Sequence, residues 1–476
     1  MERLYDKLGH IRSHLLALCF CFSNLVNLFF YYLGFAFLDN PVRKLGFIAA
    51  NCLFALVCVI AGLSLRKTAR FSRKTLCCLL AVLLFYGISF GSSIWNFGLN
   101  GAVLHHLKYF IFFCVPAFFA GIYAARTGQK EHFFADLEAL SFFALPAAVI
   151  YMNETVFDCN PFNYGRDLGI LDYMTVAYAL LPFLLAHMIR FIEKAPLQIP
   201  LVKREIAHPQ LVRGIWIAIY WIAIIASGTR GTYVCVVGVC FLLVLSNCIH
   251  REARKRTSFL CIAVTGLLLF NIFIYAPPGM NVDRMGVVIE GLKSGELVTT
   301  DEDPAVAEHI DDLVKEDGGQ QVANRPSEPE PTTPEEPADE GSIAEENLQI
   351  ENRGTMYQIA IKEFLKSPVV GMGPGGWATK YGGYPHNVIL ELLCDTGLVG
   401  TLPMLLLILL AITNLLKGGR QDRQIRYILL FLMAYAIQAN ISATIWYFDP
   451  LLCALGFGLS YSWEDAAQKP AGMKQK

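Results

Sequence analysis

Three polar positions in this sequence stand at the ends of apolar or helical segments, where their side chains can meet a ligand. Arg230 lies in the short turn SGTRGT between two apolar runs, and Arg353 stands where a helical pattern begins. His386 and Asn387 open a second helical pattern that leads into an apolar run. Guanidinium groups match phosphate oxygens, and imidazole takes up a proton near neutral pH. Two cations and one titratable base around one cavity would suit a phosphate-bearing substrate.

Each of these positions also has a purely structural interpretation. An arginine at the end of a membrane span most often extends its charge to the interface. A histidine at a helix start is usually a hydrogen-bonded cap. On the structural interpretation, the glycines of residues 371–383 (GMGPGGWATKYGG) form a simple loop between two helices, since glycine is the default turn residue. The functional hypothesis therefore depends on these residues meeting at one place.

The elements that must position these residues are membrane helices. The 476 residues are 55% hydrophobic and only 17% charged, with mean hydropathy +0.45. A soluble domain typically has about 25% charged residues, and a helix needs about 20 apolar residues to cross a bilayer. We therefore predict an all-α, polytopic membrane protein of about twelve spans: 14–38, 45–65, 76–97, 102–125, 132–152, 173–192, 214–228, 232–249, 258–276, 396–416, 427–447 and 450–463.

Lysine and arginine predict the orientation of these spans, because cytoplasmic loops carry an excess of both. With the N-terminus inside, the cytoplasmic side receives the most basic connections, which are 66–74, 126–130, 190–213, 251–256 and 417–426. Both termini are then cytoplasmic, and the largest loop is extracytoplasmic. The basic loops need no nucleic-acid partner, because topology explains them.

The predicted organisation has three parts. Residues 1–276 hold the first nine spans, residues 277–385 form the extracytoplasmic loop, and residues 386–476 hold a re-entry helix and the last spans. Within the loop, residues 299–351 carry 17 of the 40 acidic residues, many prolines and almost no aromatic side chains. Such a segment cannot bury enough apolar surface to offset its ordering entropy, so we predict that it is disordered.

The 14 cysteines indicate neither disulfides nor a metal site. Twelve of them fall inside apolar runs, where a thiol behaves as a small hydrophobe. Cys159 and Cys394 remain, and neither has a partner at metal-ligand spacing. We therefore expect no metal and no cofactor.

Three segments of the chain resemble the O-antigen ligase/polymerase family. They are SGTRGTYV at 227–234, RGTMYQIAIKEFLKSPVVGMGPGGW at 353–377 and PHNVILELLCDTGLVG at 385–400. The resemblance spans residues 215–450, and the acidic insert departs from the usual pattern. It implies a GT-C-type glycosyltransferase of the bacterial cytoplasmic (inner) membrane. The implied donor is a glycan on undecaprenyl diphosphate, and the implied acceptor is a glycan or a lipid-linked sugar.

The resemblance also implies roles for individual residues. Arg230 and Arg353 would bind the diphosphate, and His386 would deprotonate the acceptor hydroxyl. The expected substrate-binding set is Arg230, Arg353, Asn387, Gly373 and Gly375. These residues do not distinguish a ligase, which transfers a finished glycan, from a polymerase, which extends one.

Two other classes of function are compatible with the sequence. A flippase for lipid-linked oligosaccharides also has about a dozen spans, but transport sites tend to lie at midplane on broken helices of repeated halves. The sequence shows no internal repeat and suggests no midplane carboxylates. A non-catalytic scaffold whose acidic loop binds partners is the third alternative.

Removal of the acidic insert tests its predicted role as a passive extension of the loop. Deleting residues 299–351 should retain much of the glycan-forming activity, because a disordered segment would lengthen the loop without contacting the site. A gel of surface glycan from cells that carry the deletion measures the outcome. Complete loss of glycan from a variant that still reaches the membrane would contradict this interpretation.

Overall fold

The computed structural model describes residues 11–29, 40–68, 73–156, 173–197, 206–248, 251–273, 353–446 and 448–462. All regular structure in these residues is helical, without a β-strand, so the predicted all-α class is confirmed there. The α-helices are α1 Leu15–Leu28, α2 Asn40–Thr68, α3 Arg73–Phe97, α4 Gly101–Tyr109, α5 Val115–Thr127, α6 Phe133–Val156, α7 Tyr173–Glu193, α8 Pro209–Ala226, α9 Arg230–Asn247, α10 Arg251–Phe273, α11 Arg353–Lys366, α12 Gly376–Tyr381, α13 Val388–Gln421, α14 Arg423–Ser442 and α15 Asp449–Ser460.

Nine helices in the described residues are long and apolar enough to cross a membrane. They are α2, α3, the continuous α4–α5 unit, α6, α7, α8, α9, α13 and α14. Helices α1 and α15 are apolar but shorter, with 14 and 12 residues. Helix α10 covers most of the predicted span 258–276. Residues 274–352, including the acidic insert, lie outside the described residues. The count of twelve spans and the large loop therefore stay predictions.

Local sequence signals account for several helix boundaries. Asn100 caps α4, since its side-chain oxygen accepts a hydrogen bond from the amide of Val103 at 2.8 Å. Asp422 caps α14 in the same way through the amide of Gln424, also at 2.8 Å. Helix α5 ends before Gly128, which has the left-handed φ of 76° that glycine tolerates. A π-helical turn, Phe110–Cys114, joins α4 to α5.

Helices α5 and α15 approach each other closely because glycines face the contact. A Cβ atom added to Gly121 would collide with the backbone oxygen of Cys453 and lie 2.8 Å from the amide of Phe457. A Cβ added to Gly456 would collide with the backbone oxygen of Phe118. Small residues allow such contacts between membrane helices, where dispersion rather than the hydrophobic effect stabilises association.

A buried polar centre joins helices α6, α7 and α8. Arg213 donates two hydrogen bonds to the carboxylate of Glu138, one of them of 2.9 Å from Nη2 to Oε2. Arg190 and His187 approach the same carboxylate at 3.3 and 3.2 Å. Arg213 is fully buried, so this pairing compensates the loss of its hydration.

The basic connections of the chain meet at this end of the bundle. Lys130 pairs with Asp422, and Nε of Arg423 lies 3.9 Å from the carboxylate of Glu193. Arg256 donates a hydrogen bond of 2.8 Å to the carbonyl of Ile192. The structure therefore places four of the connections that the charge pattern assigns to the cytoplasm at a common end.

Substitution of Gly456 by alanine tests the close contact between α5 and α15. We expect Gly456→Ala to destabilise the protein by about 1–3 kcal/mol, because the added methyl group would overlap the carbonyl of Phe118. The apparent melting temperature of the purified protein in detergent measures the change. Gly266→Ala in α10 is the matched control, since a Cβ there meets nothing within 4 Å. Equal melting temperatures for the two variants would contradict the packing argument.

Candidate functional site

Arg230 begins helix α9 directly after a tight turn. Helix α8 ends at Ala226, and Gly228 turns the chain with a positive φ of 69°. The turn is held by the hydroxyl of Tyr233, which donates to the carbonyl of Ile225 at 2.7 Å. Arg230 is exposed and stands at the N-terminus of an 18-residue helix, where the backbone dipole also favours an anion. The predicted turn with an arginine at its end is therefore present.

His386 and Asn387 stand before helix α13. The side-chain oxygen of Asn387 accepts hydrogen bonds from the amides of Ile389 and Leu390 at 3.1 and 3.0 Å, so Asn387 is the N-cap. His386 has a φ of 55°, a left-handed conformation that is uncommon for a residue with a Cβ. Its ring lies 4.3 Å from the ring of Tyr384, measured between centroids. A strained, half-buried histidine fits a functional position better than it fits a simple cap.

The last turn of α14 connects the Arg230 turn with the His386 segment. Asn387 donates to the carbonyl of Asn440 at 3.4 Å, and Tyr384 donates to the carbonyl of Ser442 at 3.2 Å. From the other side, a Cβ added to Gly231 would lie 3.1 Å from Ile441 Cγ2 and 3.4 Å from Ser442 Oγ. Both predicted functional segments therefore pack against residues 440–442.

Arg353 is the first residue of helix α11, and its side chain lies outside the described part of the structure. Helices α11 and α13 run in the same direction. Cys394 Sγ donates to the carbonyl of Ala360 at 2.8 Å, and further along both segments the amide of Leu398 donates to the carbonyl of Pro368 at 2.8 Å. The N-termini of the two helices therefore lie at the same end of the bundle. Arg353, the first residue of α11, and His386, which precedes α13, are therefore at the same end of the bundle.

This end is opposite to the basic connections. Helix α14 begins beside Lys130 and Glu193 and ends at Ser442, beside Tyr384 and Gly231. The candidate site and the basic loops are thus separated by the length of one apolar helix.

The glycine loop 371–376 is a packing element. The amide of Met372 donates to the carbonyl of Cys394, and that of Gly373 to the carbonyl of Asp395, both at 2.8 Å. Gly373 has a φ of 94°, and a Cβ added there would lie 2.5 Å from the amide nitrogen of Ser93. A Cβ added to Gly375 would lie 3.0 Å from the Cα of Val103. These contacts explain the glycines without a ligand, so the predicted role of Gly373 and Gly375 in substrate binding stays a prediction.

Two details of this region differ from the sequence interpretation. The glycine-rich segment contains the short helix α12, which was expected to be a turn. Helix α12 is tied to α11 by Glu363, which accepts from Tyr381 at 2.8 Å and pairs with Lys380 at 3.2 Å and with Lys366 at 2.9 Å. Burial alone would raise the pKa of Glu363, but these partners hold it below the ordinary value.

The sequence interpretation also missed two buried carboxyl groups. Glu391 and Asp395 are one helical turn apart on α13, and each is only 2% exposed. Glu391 accepts from the hydroxyl of Thr444 and from the amide of Ile445, the latter at 2.9 Å. Asp395 accepts from the indole of Trp446 at 2.6 Å. Their sequence signal is two acids in an apolar stretch without a neighbouring lysine or arginine, which in a membrane segment indicates function or pairing.

Metal-ligating side chains do not cluster in the described residues, where no group of three or more His, Cys, Asp or Glu has a suitable geometry.

The fold and the site together define a polytopic helical membrane protein with its candidate chemistry gathered at one end of the bundle. Residues 215–405 match the family model for O-antigen ligase. The match includes Arg230, Arg353, His386 and Asn387, and it confirms the resemblance seen in the sequence motifs. It supports a role in joining or polymerising glycans at a membrane. Comparisons with curated proteins and with solved structures found no match.

Substitution of Gly373 by alanine tests whether the glycine loop is seated against α3. We expect Gly373→Ala to lower stability by about 1–3 kcal/mol, because the new Cβ would overlap the backbone of Ser93. Gly383→Ala is the matched control, since Gly383 has a positive φ of 60° but no atom within 4 Å of an added Cβ. Protease resistance of the purified protein measures both. Equal protease resistance of the two variants would contradict the proposed packing of the loop against α3.

Proposed function

We propose that this protein is a membrane glycosyltransferase that transfers a glycan from undecaprenyl diphosphate to a sugar hydroxyl. The observation that carries the proposal is the convergence of the Arg230 turn and the His386 segment on residues 440–442. The parallel packing of α11 and α13 places Arg353, the first residue of α11, at the same end of the bundle as the His386 segment. The family match over residues 215–405 supports this chemistry. The products would be surface polysaccharides of the O-antigen or exopolysaccharide type.

The orientation follows from the separation of charges between the two ends of the bundle. We infer that the end with Lys130, Arg256 and Arg423 faces the cytoplasm, because cytoplasmic loops carry the excess of lysine and arginine. The candidate site then faces the opposite side of the bacterial cytoplasmic membrane, with both termini inside. A donor with a long lipid tail would lie in the bilayer and present its diphosphate to the site at the outer interface.

In this mechanism the two arginines and the histidine have different tasks. Arg230 and Arg353 bind the diphosphate and stabilise the negative charge that develops on it, which can contribute several kcal/mol in a water-poor site. The acceptor hydroxyl oxygen attacks the anomeric carbon, and its proton moves to the imidazole of His386. The bond between this carbon and the diphosphate oxygen breaks, and undecaprenyl diphosphate leaves with the electron pair.

Asn387 positions the histidine in this mechanism. It caps α13 and at the same time binds the carbonyl of Asn440, so it fixes the segment that carries His386. We propose that two arginines take the place of a divalent cation. Activity that persists in the presence of a chelator would support this point.

A ligase and a polymerase would use the same constellation with different acceptors. A gel of surface glycan from cells without the gene separates them. Chains of a single repeat would indicate a polymerase, whereas full-length glycan retained on the lipid carrier would indicate a ligase.

A flippase for lipid-linked oligosaccharides is the second candidate. Helix α13 is interrupted at Gly397, which has a non-helical φ of 55°, and it carries the buried Glu391 and Asp395. Interrupted helices with buried polar groups occur at transport sites. However, the two carboxyl groups accept hydrogen bonds from the chain itself. Lipid-linked glycan that accumulates on the inner leaflet of a deletion strain would favour transport over transfer.

Substitution of the three charged or titratable residues tests the transferase proposal. Arg230→Ala, Arg353→Ala and His386→Ala should each abolish glycan transfer, with a loss of about 10²–10⁴-fold expected for a missing general base. Glycan gels from complemented deletion strains measure activity, and immunoblots measure the amount of protein in the membrane.

The matched control is Lys362→Ala, which removes an exposed cation from the helix that Arg353 begins. This variant should form normal glycan. Normal glycan chains from all three test variants would end the transferase proposal.

A further inference from the structure

The segment around His386 and helix α13 are joined to the end of α14 and to the residues after it by a row of side-chain hydrogen bonds. Tyr384 and Asn387 bind the carbonyls of Ser442 and Asn440 at the start of this row. Glu391 and Asp395 continue it on the next two turns of α13, where they accept from residues 444–446. The proposed transferase mechanism uses the beginning of the row and assigns no task to Glu391 or Asp395.

Residues 443–446 form a non-helical stretch between α14 and α15. All four are buried, with Ile445 and Trp446 exposed by 1% and 0%. A buried backbone amide needs a partner within the protein, since lipid provides none. Glu391 supplies that partner to the amide of Ile445 at 2.9 Å, and Cys114 Sγ donates to the carbonyl of Trp446 at 3.3 Å.

Glu391 connects this stretch directly to the start of α13. Its own amide donates to the carbonyl of Asn387 at 2.9 Å, so its backbone closes the first turn after the N-cap. Its carboxylate meanwhile binds Thr444 and Ile445, two and three residues after the last residue of α14. A displacement of residues 443–446 would therefore be passed to Asn440–Ser442, against which the His386 segment and the Arg230 turn both pack.

We propose that Glu391 is a positioning residue, which acts by hydrogen bonding and not by its charge. Its carboxylate holds residues 444 and 445 in register with α13 and thereby sets His386 opposite the Arg230 turn. This inference rests on the proposed transferase function and deepens it. Glu391 contacts no substrate in this scheme.

The hydrogen-bond pattern distinguishes this role from a role of charge. A glutamine at position 391 keeps one oxygen for the amide of Ile445, and its NH₂ group can donate to the hydroxyl of Thr444, which both donates and accepts. A leucine offers neither contact and leaves the amide of Ile445 without its partner. Glu391→Gln should therefore preserve the position of His386, whereas Glu391→Leu should not.

The experiment compares Glu391→Gln, Glu391→Leu and Thr444→Val in the full-length protein, purified and reconstituted in lipid nanodiscs. The donor is a synthetic undecaprenyl-diphosphate-linked oligosaccharide, and the acceptor is glycan isolated from the deletion strain. Two kinds of measurement are made. Steady-state kinetics give kcat and the KM for the donor, and hydrogen exchange gives the protection of the amides in residues 440–446.

We expect Glu391→Leu to lower kcat on the order of 10- to 100-fold, the size of effect that a displacement near 1 Å produces. The KM for the donor should stay within about 3-fold, because diphosphate binding by the arginines does not require the histidine. Exchange at Ile445 should accelerate. Glu391→Gln should keep kcat within about 3-fold and retain the slow exchange.

Thr444→Val removes the hydrogen bond to Glu391 and also the acceptor of the Trp446 amide, which donates to the Thr444 hydroxyl oxygen at 3.3 Å, and it should give an intermediate kcat. Combined with Glu391→Leu, the loss of kcat should be less than additive, since the two residues share one contact. Thr444→Val also keeps the proposal testable if Glu391→Leu does not fold, because the bond from Ile445 remains. An unchanged kcat in Thr444→Val would then overturn the proposal.

Other outcomes also overturn it. A normal kcat in a folded Glu391→Leu variant would show that the contact does not position the site. A Glu391→Gln variant as inactive as Glu391→Leu, with Ile445 still protected, would assign the effect to charge. Failure of the proposed transferase function is distinguished by the wild-type protein, which would then not turn over the donor. In that case the inference about Glu391 would fail as well.

Discussion

Backbone groups that leave the helical conformation inside a membrane bundle need partners from the protein, because lipid offers no hydrogen bonds. Two interruptions in the described residues near the candidate site illustrate this need. At Gly397 in α13, the amides of Leu398 and Val399 turn to the carbonyls of Pro368 and Val369 at 2.8 and 3.0 Å. Between α14 and α15, the amide of Ile445 turns to Glu391. Both interruptions thus join α13 to neighbouring segments.

These two connections explain why the site lies where it does. The glycine loop can enter the bundle only because positive φ values at Gly371 and Gly373 let its backbone run against α13 and α3. The loop in turn orients α11 parallel to α13, and residues 440–446 fix the other side of α13. The start of α13, with His386 in a strained conformation, is therefore held from both directions. Strain at a single residue persists when the surrounding structure over-determines it.

The positively charged side chains at the two ends of the bundle have different surroundings. At the basic end, the buried Arg213 is neutralised by Glu138, and Lys130 is paired with Asp422. At the other end, Arg230 is exposed at a helix N-terminus, where the backbone itself favours a negative ligand. The ion pairs of the basic end therefore join segments that are distant in sequence. Arg230 at the opposite end is exposed, as the proposed binding of an anionic donor requires.

Much of the local structure followed from sequence patterns. The turn before Arg230, the helix beginning at Arg353 and the helical start after Asn387 were all predicted from apolar periodicity and turn residues. The packing of the glycine loop against α3 and α13 was not predicted, because glycine permits many backbone conformations and the neighbouring segments select one of them. The burial of Glu391 and Asp395 also escaped prediction. Their partners lie on residues 444–446, more than fifty positions away along the chain.

Linear patterns in the sequence were sufficient to predict the helical class, the positions of most spans and the candidate residues. These properties depend on composition and on contacts within a few residues, which a linear pattern records. Which of the distant segments come into contact depends instead on the packing of the whole bundle. The approach of Gly231 to Ser442 and of Glu391 to Ile445 joins segments that are far apart in sequence, and the packing of whole helices sets such distances.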